Sequence, residues 1–395
     1  MDKLNKTFCY DIFKNIAIRS QNKQVVYSPC SFYNENDVMG ETFGIDILGV
    51  WDKNAHKSLK EKSLSGKKIS GCSYCYKQEE NNLRSRRLTN FELYEQYLND
   101  SDIDKGPISL DYCVGNLCNL QCAVCHPGNS SSWIADFKKL QPQEDVTDFL
   151  YRKNNQHEIT DDPRLANIRN VHFHGGGEPL LTDHHAKLLQ AIKNVKGSLS
   201  DVHVFYNTNA TVTVSDDVLK LWSECKLVEM YFSIDDIAER FEYQRPGSKW
   251  QNVMDTITWF KDNMHYNHMF KINCVYGYLN FYWLPQLVDW HKMFLPTNRL
   301  GDEVQLLFDP VRPLMLDFSL QSLTEQQHDL VKQRFSNHPV LLDILNSIKI
   351  DNTETHARFF KNVQTFDNLK SKSYYTYHSE WSDILKNKIY INRLV

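Results

Sequence analysis

The sequence reads as an α/β protein. A central domain of strand–helix units spans 106–312, with a polar segment over 1–105 before it and a helical extension over 313–395 after it. Three observations lead there. Strand-like apolar runs alternate with amphipathic helical stretches between residues 108 and 308, the pattern of parallel β/α units. Cys9, Cys30, Cys72, Cys75, Cys113, Cys118, Cys122 and Cys125 all fall in the first third of the chain. Three glycines, Gly175-Gly176-Gly177, close one of the strand-like runs.

At 395 residues the chain is long enough for one large core and an appendage. A net charge of -4 gives no global attraction to nucleic acid or to a membrane surface. The opening residues, Met1 to Thr7, carry no apolar stretch of signal-peptide type, and no uncharged run reaches membrane-spanning length. The expectation is a soluble, cytoplasmic protein with no membrane or nucleic-acid partner. Ten cysteines in that compartment point to metal sites more than to disulfides.

Residues 1–105 are polar and weakly periodic, with a few short helical patterns. Such a segment gains from a metal staple. Cys72 and Cys75 form a C-x2-C pair, and with Cys9 and Cys30 they could fill all four positions of a cluster. Structural zinc and a redox pair at Cys72/Cys75 are the other readings.

The central domain opens on Ile108–Val114, read as a strand with Cys113 buried in it. Cys118-Asn-Leu-Gln-Cys122-Ala-Val-Cys125 follows at once. This C-x3-C-x2-C spacing folds three thiolates to one side of a loop, where they can meet a soft metal centre. Structural zinc asks for four protein ligands, and His126 stands close behind Cys125. A [4Fe–4S] cube held by three cysteines keeps one iron open for a cofactor. A zinc site, a C-x-x-C-H haem string at Cys122–His126 and three separate buried thiols are the alternatives.

Ser130–Trp133 caps a helix to about Leu140, and 141–165 reads as charged and irregular. Strand Asn170–His174 then runs into Gly175-Gly-Gly-Glu178-Pro179. Glycines at a strand end let the backbone approach a ligand closely, and Glu178 brings a carboxylate there. Helix His184–Lys193 follows. The alternation continues with strand Val202–Tyr206, helix 215–224, strand Val228–Ile234, helix Trp250–Asn263, strand Phe270–Tyr278, helix Trp283–Phe294 and strand Val304–Phe308. Asn207, Asn209, Ser233, Asp235 and Asn280 sit at strand ends, where β/α folds place ligands. Helix capping and turn chemistry are the plainer explanation of such residues. Arg245 suits a carboxylate or phosphate, or an ordinary ion pair.

Together these residues resemble the radical S-adenosylmethionine (SAM) superfamily. The likeness rests on Cys118-x3-Cys122-x2-Cys125 and on Gly176-Gly177-Glu178-Pro179 some fifty residues later. Asn116–Cys125 with Ser130–Trp133, Asn207-Thr-Asn209, Ser233-Ile-Asp235 and the string from Glu242-Tyr-Gln-Arg245 to Trp250 resemble the SPASM/twitch branch. The resemblance implies a partial (β/α)6 TIM-like barrel with an N-terminal Fe–S-stapled, twitch or half-SPASM-like segment. In that segment Phe8-Cys9, Pro29-Cys30, Cys72-x2-Cys75, Glu79 and Ser85-Arg86-Arg87 match the family pattern. Ser31 stands where the family often has a second cysteine, and Asp236 where a glycine usually follows.

The resemblance also implies the cofactors: SAM, an open-iron [4Fe–4S] cluster on Cys118, Cys122 and Cys125, and an auxiliary [4Fe–4S] cluster on Cys9, Cys30, Cys72 and Cys75. Gly176, Gly177, Glu178 and Pro179 would hold the methionine end of SAM, Ser233 and Asp235 would lie near its ribose and carboxylate, and Asn207 and Asn209 would also bind the cofactor. The implied activity is reductive cleavage of SAM to a 5′-deoxyadenosyl radical that abstracts hydrogen from a peptide or small-molecule substrate. An external donor such as a flavodoxin or ferredoxin would supply the electron. No side chain is singled out as catalytic. An Fe–S electron-transfer or sensing protein and a zinc-stabilised binding module are the competing classes.

Beyond residue 311, Thr324–Phe335 and His338–Ile348 read as helices. The aromatic stretch Tyr374–Val395 reads as a terminal helix on the core, with closure of a substrate pocket as the alternative.

Overall fold

The structure is a computed structural model that describes residues 7–21, 23–34, 39–42, 45–80, 84–95, 106–113, 115–154, 159–263, 265–298, 301–312, 314–351 and 356–386. It divides into two compact units. The first comprises Met1–Cys118, Asp145–Asn207 and Val214–Met230, and the second Asn119–Glu144, Thr208–Thr213 and Tyr231–Val395.

The first unit is built on a sheet. Strand β1 (Asn15–Gln21) pairs antiparallel with β2 (Gln24–Ser28), which pairs antiparallel with the short β3 (Gly40–Thr42). On its other edge β1 runs parallel to β4 (Ser109–Cys113), with Ala17 opposite Asp111. Strands β5 (Asn170–Phe173) and β6 (His203–Thr208) continue in parallel, in the register Asp111–His172–Phe205. Parallel strands with helical crossovers are what the alternating pattern predicts.

Because side chains alternate across a sheet, this register sorts them into two faces. Tyr112, Phe173 and Tyr206 share one, where Tyr206 stacks on Phe173 at 4.8 Å, takes a hydrogen bond from Trp222 (3.0 Å) and shares one with His185 (3.0 Å). His185 lies on the helix His184–Lys196, which ends on Gly197 at φ +84°, a left-handed position that glycine fills without strain. The opposite face is mixed, with Asp111, Cys113 and His172 beside Phe205, on which His172 stacks at 4.2 Å. Burial pushes the His172 imidazole down to about 3, so it stays neutral.

In the second unit β8 (His268–Tyr276) runs parallel to β9 (Gln305–Pro310), with Cys274 opposite Phe308; both follow β7 (Leu227–Ser233) in sequence. The helices Trp250–Asn263 and Leu284–Phe294 match their predicted spans within a residue. Glu325–Arg334 starts on a Thr324/Gln327 capping box, and Pro339–Asn346 follows it. The core of this unit is aromatic. Tyr243 meets Phe366 at 5.5 Å, and Tyr282 stacks on Trp381 at 5.2 Å. Trp381, on the helix Tyr374–Leu385, also donates to the Tyr278 carbonyl at 2.7 Å. This is the terminal helix on the core that the sequence suggests; residues 387–395 of that stretch lie outside the described ones.

Three expectations need correction. The N-terminal hundred residues are more than short helical patterns, because β1 and β2 extend the sheet that holds β4. The polar residues flanking Ile16, Ala17 and Ile18 conceal that strand. Within 141–165, read as irregular, Thr147–Asn154 is helical: Asp148 in its first turn and Arg152 and Lys153 in its last suit the helix dipole, and Asp148 pairs with Arg152 at 2.9 Å. Ala357–Lys370 is a further helix that the sequence did not announce. Among the described residues no helix is long and apolar enough to cross a membrane.

Candidate active site

The glycine turn after β5 is shaped by the backbone it faces. Gly176 and Gly177 have φ of +71° and +104°, a region side chains avoid. A Cβ on Gly177 would stand 2.3 Å from the Leu117 carbonyl oxygen, and one on Gly176 2.7 Å from that of Gly115. Only glycine permits this approach. Glu178 donates its amide to the Leu117 carbonyl at 2.8 Å, which buttons the turn to the residue before Cys118. The Glu178 side chain is buried, and its Oε1 accepts from Leu180 N at 3.2 Å, capping the short 3-10 turn that begins at Pro179.

Beside this turn lies a cleft of ≈ 50 Å³ lined by Tyr112, Gly115, Arg152, Lys153, Glu178 and His184, among others. The buried Tyr112 hydroxyl and His184 Nε2 have no hydrogen-bond partner among the described residues. Arg152 and Lys153 were missed from the sequence because their segment looked irregular. The Cys113 thiol donates to the His174 carbonyl at 2.8 Å and burial pushes it up, so it behaves as a packed polar group of the sheet.

In the second unit, the loop with Cys122 and Cys125 is held on several sides. Trp133 Nε1 donates to the Cys122 carbonyl at 3.0 Å, and Ser130 Oγ to that of Leu120 at 2.6 Å. Gln121 N reaches the Pro246 carbonyl at 2.8 Å and Ala123 N that of Gln244 at 2.7 Å. Lys370, from the unannounced helix, lies 4.0 Å over the Trp133 ring and donates to Gln121 Oε1 at 2.9 Å. Cys118, Cys122 and Cys125 are each half-buried, neither sealed in a core nor fully solvated.

The other residues expected at the cofactor are placed differently from one another. Ser233 is half-buried at the end of β7 and Asn207 is exposed at the end of β6. Asn209 is buried and tied to Asn119, Nδ2 to Oδ1 at 2.9 Å. Asp235 is engaged by the protein itself: Oδ2 accepts from Arg245 Nε at 2.8 Å and Oδ1 from Val275 N at 2.9 Å. Asn280 Nδ2 donates to the Asp235 carbonyl at 2.7 Å.

Asp236, which replaces the usual glycine, is almost fully buried and accepts from Arg240 Nε at 3.0 Å and Gln244 Nε2 at 3.2 Å. Burial raises its carboxyl to about 6 despite Arg240. A carboxyl raised in the folded state binds its proton more tightly there than in the unfolded chain. Its stabilising contribution is therefore full below about pH 4, declines as pH rises, and is lost above about 6. Asp236→Asn is expected to stabilise the protein by roughly 1–3 kcal/mol at pH 7 and by almost nothing at pH 4. Urea unfolding at the two pH values checks this, and an equal effect at both would contradict it.

In the N-terminal segment, Cys9, Cys30, Cys72 and Cys75 line one small apolar pocket of ≈ 10 Å³ with Asp11, Phe32, Gly71 and Arg87. The sequence put these four together, and the fold does so across some sixty residues of chain. Burial pushes the thiols of Cys9, Cys30 and Cys75 up, so ligating a metal there would release protons. Among the described residues no three His, Cys, Asp or Glu side chains form a group that could hold a metal ion as they stand. The four thiols stand around a void; they do not converge on a point.

Ser31 explains its own departure from the family pattern. Its amide donates to Asp111 Oδ2 at 3.0 Å and its hydroxyl accepts from Arg86 at 3.2 Å, so it faces a charge network behind the cavity. Arg86 bridges two buried carboxylates there, Asp11 at 3.0 Å and Asp111 at 2.8 Å. Burial raises the Asp11 carboxyl. Burial acts the same way on Asp111, but Arg86 and then His174 outweigh it and hold that carboxyl well below the usual range.

Comparison with known proteins adds the following. Residues 112–282 match the model of the radical SAM superfamily. No curated protein matches the chain. Among solved structures, it resembles anSMEcpe with bound AdoMet, at 18% identity and a TM-score of 0.40, over 62% of this chain and 63% of that one. It also resembles SuiB of Streptococcus suis, at 14% identity and a TM-score of 0.37, over 88% and 71% of the two chains. TYW1 with a lysine-pyruvate adduct is similar at 13% identity and a TM-score of 0.28, over 62% and 76%. The chain thus spans less than two thirds of the anSMEcpe chain.

Proposed function

We propose that this chain, whose residues 112–282 match the radical SAM superfamily model, is an enzyme that binds SAM at an open-iron [4Fe–4S] cluster and uses the resulting radical for hydrogen abstraction. Cys118, Cys122 and Cys125 hold the cluster, and Gly176, Gly177, Glu178 and Pro179 receive the methionine end of SAM. The observation that carries this reading is the button between Leu117 and Glu178, which fixes the start of the cysteine loop against a glycine turn that no side chain may enter. When bound, the cluster supplies the electron that cleaves the SAM sulfonium to a 5′-deoxyadenosyl radical.

The chain's own part is position and dryness. Glu178, buried beside Gly177, offers a carboxylate of the right charge for the SAM amine. Ser233 and Asn207, at the ends of β7 and β6, remain the candidates for direct contact with the cofactor. Asn209 and Asp235 act through Asn119 and Arg245.

A second, auxiliary [4Fe–4S] cluster on Cys9, Cys30, Cys72 and Cys75 is supported by four thiols around one apolar void. A mononuclear zinc draws its four sulfurs to ~2.3 Å from one atom, whereas a cube spreads its ligands over four irons. The reducing cytoplasm, an external flavodoxin- or ferredoxin-like donor and a peptide or small-molecule substrate belong to the same proposal.

The test is iron and sulfide content after anaerobic reconstitution, with 5′-deoxyadenosine measured on the same sample. About eight irons per chain with deoxyadenosine supports both clusters, and about four supports the radical site alone. Zinc without iron and no deoxyadenosine would overturn the proposal.

A further inference from the structure

Arg245 stands apart from the other polar residues near the cysteine loop. Its side chain is 8% exposed, and two of its guanidinium nitrogens go to Asp235 Oδ2, Nε at 2.8 Å and NH2 at 2.7 Å. The third, NH1, points at the Cys122 sulfur at 3.8 Å. Asp235 is itself fixed, since its Oδ1 accepts the Val275 amide and its carbonyl the Asn280 side chain. The guanidinium therefore has little freedom to turn away.

The backbone enforces the same alignment. Gln244 accepts from Ala123 and Pro246 accepts from Gln121, so the residues flanking Arg245 are stitched to the residues flanking Cys122. Gly247, at φ +100°, lets the strand-like contact continue, because a Cβ there would stand 2.8 Å from the Asn119 carbonyl oxygen. Two segments 123 positions apart are thus held with the cation opposite the thiol.

We infer that Arg245, anchored by Asp235, is a positioning residue for Cys122 whose guanidinium raises the reduction potential of the cluster that Cys122 holds. The inference rests on the radical SAM reading above. A donor to a ligating sulfur withdraws charge from it, and a buried cation favours the state with one more electron. This gives Asp235 a role through Arg245 in place of direct contact with SAM. It also explains the need for arginine: one planar fork serves a carboxylate and a sulfur at once.

The test uses the full chain, anaerobically reconstituted, as wild type and as Arg245→Met, Arg245→Lys and Asp235→Asn. Iron is counted, and cluster reduction is followed by paramagnetic resonance across a potential titration without SAM. The relevant cluster is the one whose wild-type signal changes when SAM is added. The expected result is retained iron in all variants, with the reduced fraction at a fixed poise falling by about tenfold in Arg245→Met. Arg245→Lys should recover part of the loss, and Asp235→Asn should fall between.

If Arg245→Met sheds its iron, Arg245→Lys and Asp235→Asn carry the measurement with the same expected direction. Iron lost from all three would overturn the inference, leaving Arg245 a structural brace. An unchanged reduced fraction with weakened SAM binding would also overturn it and assign Arg245 to the cofactor. A wild type with no SAM-responsive signal would sink the underlying radical SAM reading instead.

Discussion

Cys122→Ala is expected to take 5′-deoxyadenosine formation to background while leaving the secondary structure intact. Three thiolates are the fewest that hold a cube with an open iron, so losing one removes about four irons per chain. The loop itself keeps its supports, because the Trp133, Pro246 and Gln244 contacts all run through the backbone around residue 122. Circular dichroism, iron content and single-turnover deoxyadenosine check this together. Cys113→Ala supplies the contrast: its thiol donates to the His174 carbonyl, so the variant should keep its iron and its activity. Deoxyadenosine from Cys122→Ala, or iron loss from Cys113→Ala, would redraw the ligand set.

Arg86→Met should be the most destabilising single change in the N-terminal segment. Asp11 and Asp111 are 1% and 0% exposed, and Arg86 is the cation between them. Removing it strands two buried carboxylates, a change that costs about 3–5 kcal/mol where one partner of a buried pair is lost. Asn90 and Tyr94 hydrogen-bond Asp11 but carry no charge to offset it. Urea unfolding of the metal-free chain measures the loss. Combining Arg86→Met with Asp11→Asn and Asp111→Asn should recover a large part, since no uncompensated charge then remains. A loss under about 1 kcal/mol in the single variant would mean that water reaches these carboxylates.

How much of this was legible in the sequence depended on whether the information was local. Strands β4 to β9 and the helices between them announce themselves because apolar residues repeat with period two or near four within one segment. β1 does not, since its strand character comes from pairing with β4 about ninety residues on. Gly176 and Gly177 could be read as a close-approach turn, but not that Leu117 is what they approach. The four N-terminal cysteines could be grouped by chemistry, and in the fold they line one small pocket. Asp235 and Arg245 show the limit. Their identities suggest ligand contacts, and only the fold shows that they hold each other and face Cys122. Arg86, which the sequence offered only as part of the Ser85-Arg86-Arg87 match, lies between two buried acids.

The Lys370 clamp on the cysteine loop has a consequence for the order of synthesis. Gln121 and Lys370 are 249 positions apart, so a ribosome moving at ~5–20 residues per second makes the loop roughly ten seconds to a minute before its last brace. During that interval Trp133 lacks the ammonium that later covers its ring. Iron delivered early meets thiols on an unbraced loop, and iron delivered after residue 370 has been made meets them in place. On the proposed cluster reading, iron delivered before and after residue 370 is made would therefore meet differently braced thiols.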